Sequence, residues 1–381
     1  MKSQKEIVAF IKSLYPNMDP VLLHCPEFFG NEKKYLAECI DTKYVSYVGR
    51  FVSAMEEKIM EIVGAKYAVA MVNGTAALQM ALVSCGVLEG EEVITQSLTF
   101  AATAAAIVHA GATPVFVDVD RETLGMSPES LLCFLRDKAV LKDGKCVDKN
   151  SGRFITAVVP VHVFGHPVRI EEIKLICEEY SLLLIEDAAE SLGSYRNGKH
   201  TGTTGIASIL SFNGNKLVTT GGGGMLLSKS KEVADRARFL TTTAKRPHQW
   251  EFYHEEVGFN LRMPSLNAAV GLAQLEYLDR ILENKRETAE RYHEYFSSIG
   301  IETIREPTSC SSNYWLSALV LGSRSERDEF LEYAFDNKVQ ARPVWTLMHK
   351  MSPYRNFART EMPVAEWFED RIVNIPSSVR V

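Results

Sequence analysis

Several features that would indicate a secreted, metal-binding or membrane protein are missing from this chain. Its seven cysteines are odd in number and form no CxxC pair, which argues against a disulfide framework and favours reduced thiols in a cytoplasm. No cluster of histidine, cysteine and carboxylate residues has the spacing of a metal site. No run approaches the roughly 18 apolar residues of a membrane span, and the N-terminal stretch lacks a signal-peptide core. We therefore expect a cytoplasmic protein with no membrane partner.

An excess of positive charge is missing too. The chain has 42 basic and 48 acidic residues, a formal net charge of −6. Without a basic field, no nucleic-acid partner is expected. What the chain does have is length and apolar content, with 381 residues of which 46% are hydrophobic. That is enough for a large core divided between two domains.

Short apolar runs alternate with helical patterns from Tyr67 to Asp187. Continuous apolar strands separated by helices predict a mostly parallel sheet that is covered on both faces. The polar stretch "VLKDGKCVDKNSGRF" interrupts this pattern as an inserted loop or hairpin. In such sheets, ligands bind outside the carboxyl ends of the strands.

The pattern changes after Leu261. A long helical run over 265–300 is followed by a strand, a helix and a further strand in "VQARPVW". The sequence therefore predicts an α/β protein with two parts. Residues 1–260 hold an N-terminal segment, which begins with a short amphipathic helix, and the large domain. Residues 261–381 hold a connecting helix and a smaller C-terminal α/β domain.

The stretch "SFNGNKLVTTGGGGM", Ser211 to Met225, places one lysine between a serine and four glycines. A phosphate-binding P-loop needs the lysine after its glycines and a serine or threonine next to it, and Lys216 satisfies neither condition. A dinucleotide fingerprint should open a helix, but these glycines lead into a strand-like run. The remaining interpretation makes Lys216 a Schiff-base lysine, with the glycines leaving room around it and its cofactor.

Pyridoxal phosphate chemistry requires an acid against the ring nitrogen, a phosphate cradle and usually an aromatic plate. Asp187 ends a buried strand, and alternation turns the preceding Glu186 to the opposite face, where a structural role is favoured. Phe100 stands at a strand-to-helix junction. The phosphate would be held by Gly74, Thr75 and Ser211, although Asn73 or Thr75 could instead only cap the following helix.

These segments resemble the DegT/DnrJ/EryC1/StrS sugar aminotransferases over nearly the whole chain. The similar segments are "VNGTAAL", "TFAAT", "IEDAAESLGS", "SFNGNK" with "TTGGGGM", and "GFNLRMPSLNAAVGLAQLEYL". The segments "FFGNEKKYLAECIDTKYVSYVGRFV" and "TTTAKRPHQWEFYHEEVGFN", with the unbroken "GNKLVTTGGGG", resemble the legionaminic-acid branch most. The resemblance implies pyridoxal 5'-phosphate, transferase fold type I, L-glutamate as donor and a nucleotide-linked 2-acetamido-2,6-dideoxy-4-ketohexose as acceptor, with UDP or GDP left open.

The resemblance also implies residue roles. Lys216 would carry the cofactor, Asp187 would pair with the pyridinium nitrogen and Phe100 would stack on the ring. The phosphate would be bound by Gly74, Thr75 and Ser211. Glu190 stands where many relatives have glutamine or histidine, near the phenolic oxygen of the cofactor.

Three further positions are carried over from the family. Asn260 would reach the phosphate across the interface of a homodimer with composite active sites, and Arg262 would support that loop. His349 would approach the sugar from the C-terminal domain, unless it is a surface histidine.

Other functions remain open at this stage. Related sugar 3-dehydrases carry histidine at the lysine position, which Lys216 speaks against. A nucleotide-sugar 3-aminotransferase and a non-enzymatic cofactor-binding regulator share the scaffold. An amino-acid aminotransferase would use an arginine for the substrate carboxylate, and Arg342 or Arg262 could serve.

Overall fold

The computed structural model describes residues 2–380. Its α-helices are α1 Lys2–Leu14, α2 Glu32–Thr42, α3 Arg50–Val63, α4 Gly74–Ser84, α5 Ala101–His109, α6 Pro128–Lys138, α7 Ile170–Glu179, α8 Lys231–Thr241, α9 Ser265–Leu275, α10 Leu278–Ser298, α11 Arg324–Asp336 and α12 Pro363–Glu369. Single turns of 3₁₀ helix cover Val163–Gly165 and Met348–Lys350. Within residues 2–380, every helix is too short or too polar to span a bilayer.

Within residues 2–380, the strands form one large and three small sheets. They are β1 Tyr67–Met71, β2 Glu92–Gln96, β3 Thr113–Val117, β4 Ala139–Lys142, β5 Lys145–Asp148, β6 Ile155–Val159, β7 Leu183–Asp187, β8 Tyr195–Arg196, β9 Lys199–His200, β10 Ala207–Ser211, β11 Gly224–Ser228, β12 Glu302–Thr303, β13 Cys310–Ser311, β14 Ser317–Val320, β15 Arg342–Pro343 and β16 Ile372–Ile375.

The large sheet has seven strands in the order β1-β11-β10-β7-β6-β2-β3. Strand β11 runs antiparallel to both neighbours, and the pairs from β10 to β3 are parallel. The predicted mostly parallel sheet is therefore confirmed. The β1 edge is covered, because the Val72 amide donates to the Leu261 carbonyl at 3.0 Å and the Met263 amide to the Ala70 carbonyl at 3.3 Å.

Both faces of this sheet are buried, which explains its continuous apolar strands. Val69 and Met71 point into a core shared with α4, α5 and α8. Ala68 and Ala70, one residue out of phase, point into a second core shared with α3 and α9. At the other end of the sheet, α6 and α7 complete this second face.

The C-terminal region is built on the antiparallel sheet β12-β14-β16-β15, with α10 and α11 packed beside it. Helix α1 belongs to this body in space, because Ile7 and Ile11 are fully buried in one core with Phe330. Helix α1 therefore packs with the C-terminal region, although the predicted division places it within residues 1–260. We keep the 260/261 division as a proposal for the rest of the chain.

Three local predictions can be compared with the structure. The run over 265–300 is mostly helical, as predicted, but it forms two helices instead of one, because Tyr277 leaves helical geometry with φ −113°. Only two residues of "VQARPVW" pair as strand β15, followed by a single further hydrogen bond from the Val344 amide to the Ile372 carbonyl at 3.2 Å. The inserted polar stretch does form a hairpin, β4 with β5.

Candidate active site

A cavity of about 300 Å³ opens at the carboxyl ends of β7 and β10, beside the N-terminus of α4. It is bounded by the large sheet on one side and by Trp315 and Trp345 of the C-terminal region on the other. Its wall includes seven of the predicted site residues, namely Gly74, Thr75, Phe100, Asp187, Glu190, Ser211 and Lys216. The fold thus brings together residues that stand up to 142 positions apart in the chain, from Gly74 to Lys216.

The Lys216 amine lies between a carboxylate and an aromatic ring. Its Nζ is 3.2 Å from Glu190 Oε1 and 3.7 Å from the centre of the Trp315 ring. The indole is fixed, because Trp315 Nε1 donates to the Asn215 carbonyl at 2.7 Å and its backbone amide donates to Asn313 Oδ1 at 2.8 Å. The lysine side chain is only 13% exposed, so both contacts act on an amine that is largely removed from water.

Glu190 is held from a second side as well. The Phe164 amide donates to its Oε2 at 2.8 Å, which leaves Oε1 for the lysine. Burial raises the pKa of Glu190, and the nearby Lys216 charge opposes this rise. Glu190 is therefore positioned both to bind the lysine amine and to exchange a proton with it.

Asp187 is the second buried carboxyl of the cavity wall. Its Oδ2 accepts a hydrogen bond from Thr103 Oγ1 at 2.8 Å, and its Oδ1 accepts one from the Ala189 amide at 3.1 Å. Burial raises the pKa of this carboxyl, with Thr103 acting in the opposite direction. A cationic ring nitrogen facing Asp187 would also favour the anion, because opposite charge lowers a carboxyl pKa.

The neighbouring Glu186 points to the other face of the sheet, as alternation predicts. It accepts hydrogen bonds from His162 Nε2 at 3.1 Å and from the amides of Gly202, Thr204 and Gly205 at 2.7–2.9 Å. Burial acts to raise the pKa of Glu186, but these hydrogen bonds hold it below its usual value. Glu186 therefore has the structural role that the sequence favoured.

The N-terminus of α4 forms the polar end of the cavity. The Asn73 side chain caps this helix by accepting from the Ala76 amide at 2.8 Å. The amides of Gly74 and Thr75 precede it and have no intrahelical acceptor, because they open the helix. A Cβ at Gly74 would lie 3.0 Å from Ser211 Cβ, so glycine permits this close approach. The exposed amides and the Ser211 hydroxyl suit an anion.

The predicted role of the glycine run is wrong. None of Gly221–Gly224 lines the cavity. A Cβ at Gly224 would lie 2.4 Å from the Asn73 backbone, and one at Gly223 would lie 2.2 Å from Thr220 Oγ1. These two glycines let β11 approach the helix cap and a neighbouring turn. They do not leave room for the lysine.

Two predicted residues lie outside the cavity of their own chain. Asn260 is exposed, and its backbone pairs with Thr242. His349 is buried rather than on the surface. Its Nδ1 lies 2.8 Å from Ser97 Oγ, and its ring borders a separate open cleft with Arg359 and Glu366. The roles of both residues stay predictions.

The arginines considered for a substrate carboxylate are also absent from this wall. Arg262 Nη2 donates to Glu56 Oε1 at 2.8 Å, and Arg342 is exposed on β15. Sequence reasoning missed Trp315 and Trp345, which do line the cavity. Their only signal was rarity, since the chain has four tryptophans.

A sequence profile of the DegT/DnrJ/EryC1/StrS aminotransferase family matches residues 28–381. The chain belongs to this family. As a member of the DegT family, it is a sugar aminotransferase of α/β fold, and its cofactor is pyridoxal 5'-phosphate. The predicted family, fold class and cofactor are confirmed.

Individual members of the DegT family are similar along most of their length. GDP-perosamine synthase of Escherichia coli O157:H7 is 35% identical over 360 residues, which cover 94% of each chain. GDP-perosamine synthase of Vibrio cholerae is 34% identical over 359 residues, 92% of each chain. The crystal structure of a DegT DnrJ EryC1 StrS aminotransferase from Brucella abortus superposes with a TM-score of 0.81 at 27% identity, covering 91% of this chain and 90% of the other.

The cavity fits the cofactor of the DegT family. Its volume is within the range of small-molecule sites, which begins at about 300 Å³. An amine, a buried acid and an anion cradle stand at different points of one wall, and a Cβ at Gly74 would crowd that cradle. Lys216, Asp187 and Ser211 would hold the aldehyde, ring nitrogen and phosphate ends respectively.

Proposed function

We propose that this protein transfers the amino group of L-glutamate to C4 of a nucleotide-linked 2-acetamido-2,6-dideoxy-4-ketohexose. The reaction would take place in the cytoplasm and serve biosynthesis of a bacterial surface sugar such as legionaminic acid. The proposal rests mainly on one observation: Lys216, Asp187 and the start of α4 line a single cavity. The legionaminic-acid assignment rests on the motif resemblance alone. The proposal includes both UDP and GDP as the nucleotide, and two relatives are named for a GDP-linked sugar.

In the proposed reaction, the cofactor and the cavity residues have separate roles. Pyridoxal 5'-phosphate supplies an electron sink that stabilises negative charge on the carbon that loses its proton. Lys216, when its amine is free, removes the proton from Cα of glutamate and later delivers one to C4 of the sugar. Glu190 keeps that amine beside the cavity through the 3.2 Å contact. Water supplies the keto oxygen of the departing 2-oxoglutarate, and the sugar carbonyl oxygen later leaves as water, so the complete exchange consumes no net water.

An absorbance spectrum of the cofactor-loaded protein tests the two half-reactions separately. We expect the band of the lysine-bound cofactor to disappear with glutamate and to return with UDP- or GDP-linked 4-keto-6-deoxy-N-acetylhexosamine. Lys216→Ala should lose turnover by at least about a thousandfold while remaining folded. Near-normal turnover in that variant would exclude Lys216 as the reactive residue.

The same samples separate the remaining alternatives. NMR of the product identifies the carbon that carries nitrogen, so nitrogen at C3 would replace this proposal with a 3-aminotransferase. A spectrum that responds to glutamate but to neither sugar would overturn the substrate assignment. No response to glutamate would favour a cofactor-binding regulator.

We also propose a homodimer with composite active sites. Asn260 is exposed and absent from the cavity of its own chain. The nearby segment 250–257 exposes large apolar side chains, with Trp250 at 71%, Phe252 at 78% and Val257 at 91% exposure. Such a patch is unusual on a monomer surface and is typical of an interface.

Mixing two inactive variants tests the composite site. Lys216→Ala and Asn260→Ala homodimers should each be impaired. If Asn260 serves the partner's site, a mixed dimer contains one site with both changes and one site with neither, so activity should reappear on mixing. If both residues serve the same protomer, mixing restores nothing. Light scattering reports whether a dimer forms at all.

A further inference from the structure

Trp345 lines the cavity but takes no part in the proton transfers assigned to Lys216 and Glu190. It follows β15 in the C-terminal region, and its ring lies opposite the large sheet. The ring centres of Trp345 and Phe100 are 6.2 Å apart, at an interplanar angle of 60°. Phe100 is 56% exposed. The two rings therefore form an aromatic corner where the two parts of the chain meet.

Phe164 supports this corner from behind. Its ring centre is 5.1 Å from that of Trp345, and the side chain is fully buried. Its backbone is in the left-handed region, with φ +56°, a conformation that persists for a bulky residue only where the surroundings enforce it. The Phe164 amide also holds Glu190 at 2.8 Å. One residue thus fixes both the lysine's partner and the Trp345 ring.

The two tryptophans of the cavity differ in their own partners. Trp315 binds the Asn215 carbonyl through its indole nitrogen and covers the Lys216 amine. Among residues 2–380, the indole N–H of Trp345 makes no hydrogen bond, unlike that of Trp315. The ring and N–H group of Trp315 are therefore both occupied by contacts near the lysine. Trp345 presents to the cavity a ring that is packed against Phe164 and an N–H group without a partner.

The two substrates differ in what such a ring can bind. A 6-deoxyhexose has apolar C–H faces and a C6 methyl group, next to hydroxyl and acetamido groups that accept hydrogen bonds. An indole suits this combination, because it has a flat apolar face and one donor. Glutamate has two hydrated carboxylates and offers a ring little to pack against.

We propose that Trp345 is a specificity-determining residue that packs against the deoxysugar and takes no part in the glutamate half-reaction. This inference rests on the proposed function. Trp345 makes the apolar contact, and its N–H group donates to a polar substituent of the sugar. Amino donor and sugar acceptor then use the same reactive lysine but are distinguished by the opposite wall of the cavity.

Single-turnover absorbance measurements on Trp345→Leu and Trp345→Phe test this assignment. In Trp345→Leu, we expect the glutamate half-reaction to keep its rate within about twofold. The apparent affinity for the keto sugar should fall by about 10- to 100-fold, as for loss of a buried aromatic anchor. Trp345→Phe should recover most of the affinity, because it retains an aromatic face.

Trp367→Leu is the matched control. Trp367 is on α12, between the guanidinium groups of Arg121 and Arg371, and does not line the cavity. It should leave both half-reactions unchanged. Thermal unfolding of each variant identifies any loss of structure.

The outcomes separate the two proposals. If the wild-type protein converts the sugar and Trp345→Leu is equally effective, the assignment of Trp345 is wrong. Equal slowing of both half-reactions would make the ring a structural support and also overturn the assignment. If the wild-type protein neither converts the UDP- and GDP-linked sugars nor binds them in calorimetry, the proposed function fails, and the inference fails with it.

Discussion

At the scale of single residues, the cavity places two buried acids near one amine. Burial raises the pKa of both Asp187 and Glu190, and the charge of Lys216 lowers both. Their other partners separate their tasks. Asp187 is held by the Thr103 hydroxyl and the Ala189 amide, whereas Glu190 contacts the lysine amine directly. Two carboxyls of similar burial thereby acquire different chemistry from their hydrogen bonds.

Glu190→Gln should alter the pH dependence of the glutamate half-reaction. The pKa of Glu190 is raised, so this carboxyl takes up a proton at a pH above its ordinary range. As the pH falls, its charged hydrogen bond to the Lys216 ammonium group is therefore lost. In the wild-type protein, this protonation should lower the rate on the acidic side of the pH–rate profile. We expect the variant to lack this acidic limb and to react about tenfold more slowly, because a charged hydrogen bond is lost. Single-turnover rates across the pH range provide the measurement.

Glu190→Asp is the control for this experiment. It keeps a carboxyl and should therefore keep an acidic limb. A Glu190→Gln profile that follows the wild-type profile would show that ionisation of Glu190 is not used.

At the scale of elements, the cavity depends on how closely β11 approaches the start of α4. The backbone of Gly224 lies so near the Asn73 cap that a Cβ there would be 2.4 Å from it. The same helix start approaches Ser211 of β10 through Gly74. Two strands and one helix N-terminus are thus fitted around the anion cradle without intervening side chains.

Gly224→Ala should weaken cofactor binding and destabilise the fold. Its methyl group has to displace the Asn73–Gly74 backbone, and overpacking of this kind costs about 1–3 kcal/mol. We expect a lower unfolding midpoint and a larger cofactor dissociation constant. Gly222→Ala is the control, because its Cβ would come no closer than 3.8 Å to its nearest neighbour. Equal behaviour of the two variants would contradict this account.

At the scale of the whole molecule, buried neutral histidines link stability to pH. Burial lowers the pKa of His166 and of His200 to about 4. His293 is shifted in the same direction for the same reason. These side chains take up protons in the unfolded chain before they do so in the fold. Their contribution to stability is therefore lost as pH falls from about 6.5 towards 4.

Acid unfolding should be steep in that interval. Each fully buried histidine contributes about 2–3 kcal/mol that disappears there, while the raised pKa values of Asp187 and Glu190 act in the opposite direction. His166→Phe should flatten the dependence of the unfolding midpoint on pH, as measured by denaturant titration. His248→Gln, at an exposed position, should leave it unchanged. A midpoint that does not vary between pH 6.5 and 4 would refute this prediction.

The sequence alone determined the fold class and the chemical centre of this protein. Apolar strand-like runs alternate with segments of helical periodicity, and this alternation specifies a parallel sheet covered by helices. The pattern is visible in the sequence because the burial of each segment sets the spacing of its own apolar residues. Asp187 and the start of α4 were identifiable because parallel strands bring their carboxyl ends to one edge. Lys216 was identifiable from its neighbours in the chain and Glu190 from the motif resemblance, and the chemical roles of all four stay predictions. The hairpin β4–β5 was predictable for a similar local reason, its turn residues.

Only the tertiary structure decided the opposite wall of the cavity and the role of the glycines. Trp315 and Trp345 line the same cavity as Lys216, although they follow it by 99 and 129 residues in the chain. No local pattern encodes such a contact. Gly224 faces a helix cap whose position depends on the pairing of β1 with β11. Helix α1 likewise joined the C-terminal core. Each result depends on packing between distant segments, which sequence periodicity does not contain.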